Sequence, residues 1–336
     1  ATGKRKLLDV ACRNADLILT VFGPHGRKDP PGHQEIEIGL AKLFRITGEQ
    51  KYLDLAKFFL DQRGRPEGHR LYGEYSQDHV PVIEQDHAVG HAVRANYMYA
   101  GMADIAALTG DRQYVNAIDR LWENVVTKKL YITGGVGASS HGEAYGDNYE
   151  LPNRTAYCET CAAIANVYWN HRMFLLHGDA KYIDVMERSL YNNVLSGVSL
   201  DGMTFFYPNP LASHGSHARS PWFGCACCPS NITRFLASVG GYMYAVRDDA
   251  IYVNLFGQND ADVMLGENAV RLSQQTNFPW DGKVNNHWEL AQSHPEGRGC
   301  TEPAQEMAVI PLSSVQLITC LILSLYPRSS VNHQCW

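Results

Sequence analysis

The chain has 336 residues, room for one large domain or two ordinary ones with an ample core. Hydrophobic residues at 45% and charged residues at 19% exclude a disordered or fibrous chain. A formal net charge of −6 leaves no basic field, so neither nucleic acid nor an anionic membrane is expected as a partner.

The chain opens with Ala-Thr-Gly-Lys-Arg, not Met, and shows no signal peptide; a cytoplasmic fragment of a longer protein is expected. Residues 1–245 are predicted to be mostly helical because an internal pattern recurs. Leu43-Phe44-Arg45-Ile46-Thr47-Gly48-Glu49 leads to Tyr52, Ala107-Leu108-Thr109-Gly110-Asp111 to Tyr114, and Leu176-His177-Gly178-Asp179 to Tyr182. Each time a helix ends at the Gly, an acid opens the next helix, and the Tyr follows one turn later. Stacked antiparallel helix pairs are predicted, as in a solenoid or a closed α/α barrel.

The unusual residues sit between the hairpins. Gly32-His33-Gln34-Glu35-Ile36-Glu37 opens the first such helix, and Glu84 to Arg94 precedes the second hairpin. His87 and His91 are predicted to lie one turn apart on one helix face, and both, with His33, are candidate substrate contacts. The stretch from Gly134 to Asn153 is too rich in Gly and Pro for a helix. Loops of this length often carry function, and this one presents Glu143 as a candidate general acid/base.

After Ala245 the period changes. Ala250–Phe256 and Ala269–Thr276 alternate in the manner of strands, so 246–284 is read as the start of a β-sandwich. From 285 the apolar periodicity stops, and 285–336 is read as an atypical tail. Val309–Tyr326 is apolar, but Pro311, Ser313, Ser314, Gln316 and Thr319 interrupt it, against a membrane span.

Five of the nine cysteines fall in two stretches, Tyr157–Cys161 and Trp222–Asn231. Thiolates suit soft or borderline metals, and a tetrahedral site needs four ligands from a few converging segments. Cys227 and Cys228 are neighbours, which fits neither a zinc-finger knuckle nor a disulfide. Glu159, Cys161, Cys227 and Cys228 are therefore the candidate ligands, for zinc, with Cys158 and Cys225 as alternatives. Cys12, Cys300, Cys320 and Cys335 are read as small core hydrophobes. Tyr145, Tyr149, Phe205, Phe206, Tyr207 and Trp222 are aromatics that could line a sugar pocket, although core packing is their commoner use.

Together these motifs resemble glycoside hydrolase family 127, the β-L-arabinofuranosidases. The resemblance rests on Gly32–Glu37, Gln85–His91, Gly142–Gly146, Glu159-Thr160-Cys161, Asp184–Asn192 and Cys225-Ala226-Cys227-Cys228-Pro229, and covers roughly 30–284. It implies an (α/α)6 barrel, here incomplete, followed by β-sandwich domains, with one zinc held by Glu159, Cys161, Cys227 and Cys228. It further implies Cys227 as nucleophile, Glu143 as acid/base, sugar contacts from His91 and His33, and retaining hydrolysis of a β-L-arabinofuranoside from a small oligosaccharide or glycoprotein. A homodimer through the β region absent here is a further expectation. Two other readings compete: a structural zinc in a scaffold or sugar-binding module, and a carbohydrate epimerase using His87 and His91. The epimerase leaves the cysteine cluster unexplained.

Overall fold

The computed structural model describes residues 3–247 and 250–291. Cys300, Cys320, Cys335 and the apolar stretch Val309–Tyr326 lie outside the described residues. The chain divides into two compact units, Ala1–Ala237 and a second that begins at Ser238.

The first unit is helical: α1 (Lys6–Val21), α2 (Ile36–Thr47), α3 (Gln50–Gln62), α4 (Ala92–Thr109), α5 (Arg112–Lys128), α6 (Thr160–His177), α7 (Ala180–Ser189) and α8 (Cys227–Leu236). The three repeated patterns form the three hairpins α2–α3, α4–α5 and α6–α7. Gly48, Gly110 and Gly178 end the first helix of each pair at φ of 74°, 67° and 73°, a left-handed turn that glycine adopts without steric cost. Asp111 and Asp179 then cap the next helix, each accepting a backbone N–H two residues on. Each repeat tyrosine is buried and reaches the preceding outer helix. Tyr52 donates to Asp16 of α1, Tyr114 donates to Asp61 of α3, and the Tyr182 ring stands edge-on to Trp122 of α5. The recurring residue is thus the link between successive pairs.

Helices α4 and α6 are buried on nearly every face, and α4 packs on α2 and α6, α6 on α8. Helices α3, α5 and α7 bury one stripe and lie outside them. These are the inner and outer layers of an (α/α)6-type barrel. Asp104 of α4 binds Arg172 of α6 at 2.7 Å and Arg45 of α2 at 3.0 Å, tying the inner layer together at one end. The hairpin turns occupy that end. The starts of α2, α4, α6 and α8 lie at the other.

The second unit is antiparallel. Strands β1 (Tyr244–Arg247) and β2 (Ala250–Val253) pair, and β3 (Asn259–Leu265), β4 (Asn268–Thr276) and β5 (Val284–Ala291) form a meander. Ile251, Leu265, Val270 and Leu272 make its core, with Trp288 packed against them. Strand β5 pairs with β4 from Ala269 to Thr276, and all of it but Val284 falls inside the segment read as an atypical tail. Its sequence, Val-Asn-Asn-His-Trp-Glu-Leu-Ala, puts Trp288 alone as a large apolar residue against the core, so backbone pairing rather than hydrophobic alternation defines it. Strand β1 begins at Tyr244, just before the period change read from the sequence.

Candidate active site

The four inner helices start at one place. Their N-caps are Glu35, His91, Glu159 and Ala226. Glu35, His91, Glu159 and Cys227 line a single cavity of about 520 Å³. Unsatisfied N–H groups and the positive ends of helix dipoles favour anionic groups there, which suits carboxylates and a thiolate.

Glu159, Cys161, Cys227 and Cys228 offer ligand atoms that all lie within 4.8 Å of one another. Cys161 Sγ is 3.5 Å from Cys228 Sγ, and Glu159 Oε1 is 3.5 Å from Cys227 Sγ and 3.6 Å from Cys228 Sγ. The other carboxyl oxygen, Glu159 Oε2, is buried without a hydrogen-bond partner. A buried acceptor beside three thiols is an arrangement that a metal ion would satisfy, so the group fits one. Burial pushes the Glu159 carboxyl well above the ordinary carboxylate range. Hydrogen bonds from Cys161 and Cys228 push Cys227 far below the ordinary thiol range, while its two partners move up. Cys227 is also the least buried of the three cysteines in this group. Cys158 is instead packed with Tyr131, Ala138 and Ala156, and Cys225 is exposed at the cavity wall outside the ligand group.

Tyr207 stands over the sulfur, its hydroxyl 3.1 Å from Cys227 Sγ. It is held from the backbone side, where its carbonyl accepts the N–H of Thr160 at the first position of α6.

Glu143 comes from a short turn, His141–Glu143, in the Gly-rich loop. Gly142 has φ 65° and Glu143 itself φ 51°, a conformation a Glu rarely adopts. Both carboxylate oxygens are engaged. Tyr157 donates its hydroxyl to Oε1 at 2.8 Å, and His91 Nε2 lies 2.7 Å from Oε2. The loop is fixed beside its neighbour by the Tyr145 N–H donating to the Gly90 carbonyl. Gly90 sits so close to the Glu74 carbonyl that an added Cβ would meet it at 1.9 Å, and its φ of 67° also demands glycine.

The far wall carries Arg234, whose guanidinium pairs with Glu35 and donates to Tyr97 Oη at 2.8 Å and Asn231 Oδ1 at 2.7 Å. His33 lines the cavity too, its ring edge-on to His91 and Tyr97.

Of the candidate residues, Glu143, Glu159, Cys161, Cys227, His33, His91 and Tyr207 line this cavity, and Cys228 is buried directly behind it. Two do not. His87 and His91 share no helix face: Gly90 breaks the segment, α4 begins only at Ala92, and the exposed His87 imidazole pairs with Asp86. Tyr145 is buried and donates to Asn96 of α4 at 2.6 Å, so it anchors the loop instead of lining the cavity. Sequence reasoning gave no role to Tyr157, Arg94, Tyr97, Asn231 or Arg234. Arg94 sits one turn after His91, and Arg234 two turns after Cys227 on α8, so helical spacing from an identified residue would have pointed to both.

A family model described as "Beta-L-arabinofuranosidase, GH127 catalytic domain" matches residues 1–241. A non-reducing end β-L-arabinofuranosidase from Bifidobacterium longum is 37% identical over 316 residues, covering 84% of this chain and 48% of that protein. Among solved structures, a GH127 β-arabinofuranosidase superposes with a TM-score of 0.82 at 58% identity, covering 87% of this chain and 46% of the other. A GH127 β-L-arabinofuranosidase from Geobacillus stearothermophilus T6 gives a TM-score of 0.82 at 45% identity, covering 86% and 50%. The chain therefore spans about half the length of the relatives it matches.

Proposed function

The chain belongs to the GH127 β-L-arabinofuranosidase catalytic-domain family, and on that premise we propose that it is a retaining glycoside hydrolase acting on β-L-arabinofuranosides. The observation that carries this reading is Cys227 and a two-point-held Glu143 lining the same cavity. A purely structural metal site would need neither the clamp on Glu143 nor the open cavity beside Cys227.

In the first step protonated Glu143 gives its proton to the glycosidic oxygen while Cys227 Sγ attacks the anomeric carbon. A C–S bond forms, the C–O bond breaks, and the aglycone leaves as an alcohol. In the second step Glu143 takes a proton from water, whose oxygen attacks the same carbon as sulfur departs. Two inversions give net retention, with sulfur in the place of the usual second carboxylate. Each oxygen of Glu143 accepts one hydrogen bond in the structure and keeps a further lone pair for the travelling proton. Tyr207 supports the negative charge on sulfur, and its hydroxyl is placed to do so in both steps. His33 offers its Nε2 to the sugar hydroxyls, while His91, with both ring nitrogens engaged, borders the sugar and holds Glu143.

Zinc held by Glu159, Cys161, Cys227 and Cys228 would keep the sulfurs deprotonated at neutral pH, where a free thiol of pKa about 8.5 is mostly protonated. The expected substrates are arabinose-bearing oligosaccharides or glycopeptides.

Hydrolysis of an aryl β-L-arabinofuranoside, with metal content measured in parallel, tests the reading. The full chain should turn over, and Glu143→Gln and Cys227→Ser should each lose at least about 100-fold. Glu143→Gln should retain its zinc. Glu143→Gln hydrolysing at the parent rate would refute the acid/base assignment. A folded, zinc-bound chain without hydrolysis would favour a structural or sugar-binding role.

A further inference from the structure

The charges at the cavity are nearly all accounted for. Arg234 is held by Glu35, Tyr97 and Asn231; Glu143 by His91 and Tyr157; Glu159 lies against the thiols. Arg94 is different. Its guanidinium makes no hydrogen bond or ion pair among the described residues, and its Nε is buried without a partner. It lies 5.0 Å above the ring of Tyr75 and contributes to the cavity lining.

Tyr75 is an aromatic platform, 46% exposed. Its carbonyl accepts the N–H of His91, and its ring stands edge-on to the His91 imidazole at 5.5 Å. On the other side a Cβ at Gly142 would lie 3.6 Å from Tyr75 Cδ2. Tyr75 thus touches the residue before Glu143 in the chain and the imidazole that holds its carboxylate. In a double displacement the acid/base stands where the aglycone leaves, so this platform borders the leaving group. A planar guanidinium with unused donors is best matched by a carboxylate, which it can grip through two parallel hydrogen bonds, and the aromatic face fixes its plane.

We propose that Arg94, laid on Tyr75, forms a leaving-group subsite that selects aglycones bearing a carboxylate, such as a uronic acid unit or an acidic arylcarboxylate. The proposal rests on the glycosidase reading above and adds the chemical class of the leaving group.

The test is equilibrium binding to the full, zinc-loaded chain, with two sulfur-linked, hydrolysis-resistant ligands: phenyl and 4-carboxyphenyl 1-thio-β-L-arabinofuranoside. At low salt the carboxylated ligand should bind about 10-fold more tightly, the scale of a charge-assisted bidentate pair at a partly exposed site. In Arg94→Gln that ratio should fall to about one. Arg94→Lys, which keeps the charge and loses the fork, should give an intermediate ratio, and carries the test if the Gln variant does not fold. Equal binding of both ligands by the parent chain, or a ratio unchanged in the Arg94 variants, would overturn the subsite while leaving the sugar pocket in place. Binding of neither ligand would overturn the pocket reading itself, and the subsite with it.

Discussion

His91 Nε2 lies 2.7 Å from Glu143 Oε2, and the way His91 is held decides what that contact is. As the N-cap of α4 its Nδ1 accepts the backbone N–H of Arg94 at 3.4 Å, so the ring proton resides on Nε2. Burial keeps the imidazole's pKa below its ordinary value, in line with a neutral ring. Nε2–H is therefore a donor to the carboxylate. A nitrogen carrying a proton is no metal ligand, so His91, Glu143 and Glu159, whose ligand atoms also lie within 4.8 Å of one another, are read as a held acid/base beside the thiol cluster and not as a second cation site.

The other half of the clamp gives a prediction. Tyr157→Phe removes the donor to Glu143 Oε1 but leaves the carboxyl in place. Hydrolysis should fall about 10-fold for alkyl or sugar leaving groups, which need the proton, and less than about 3-fold for a dinitrophenyl leaving group, which does not. Comparing kcat/KM across leaving groups measures it. An equal loss on both would mean that Tyr157 serves packing alone.

Metal removal should act on the fold as well as on chemistry. The four candidate ligands join the starts of α6 and α8, segments that are distant in sequence. With metal at 1,000 times its Kd, binding adds about 4 kcal/mol, so chelation should lower Tm by on the order of 10 °C. Glu159→Ala and Cys161→Ala should abolish the shift. Cys158→Ala should preserve it, since that thiol packs among Tyr131, Ala138 and Ala156. A chelation shift that survives in Glu159→Ala would remove this carboxylate from the ligand set.

Glu187 supplies a pH prediction away from the site. Burial pushes its carboxyl up from 4.5 to about 7, and Oε1 has no hydrogen-bond partner. The folded state thus favours the neutral acid. The stability this gives is fully present below the unfolded value near 4.5 and is lost as pH rises through about 7. Urea unfolding at pH 5 and 7.5 should show Glu187→Gln gaining on the parent by on the order of 1 kcal/mol at the higher pH. An identical pH dependence for both chains would contradict it.

What the sequence made legible is local chemistry. The Gly–acid–Tyr pattern dictates a left-handed turn and a buried ring in all three hairpins, and a side-chain cap in the two whose acid is Asp111 or Asp179. Glu159, Cys161, Cys227 and Cys228 stood out because adjacent cysteines have few other uses. His87 misled because four-residue spacing suggests a helix only if the helix has started, and Gly90 delays it to Ala92. Tyr145 misled because a loop aromatic can turn inward when a buried polar partner, here Asn96, waits for it. The Tyr157–Glu143 contact and the place of Arg94 on Tyr75 depend on how separate loops meet, and no single stretch encodes that. Strand β5 was hidden for a related reason: its pairing with β4 is carried by backbone groups, not by its side chains.

The most direct test of the account is mass analysis of Glu143→Gln exposed to a dinitrophenyl β-L-arabinofuranoside. The activated leaving group needs no acid for the first step, while the missing base stalls the second, so a covalent intermediate should accumulate. We expect one anhydropentose unit attached to the peptide that carries Cys227. Attachment to Glu159 or to any other residue, or release of dinitrophenol with no adduct formed, would contradict a sulfur nucleophile.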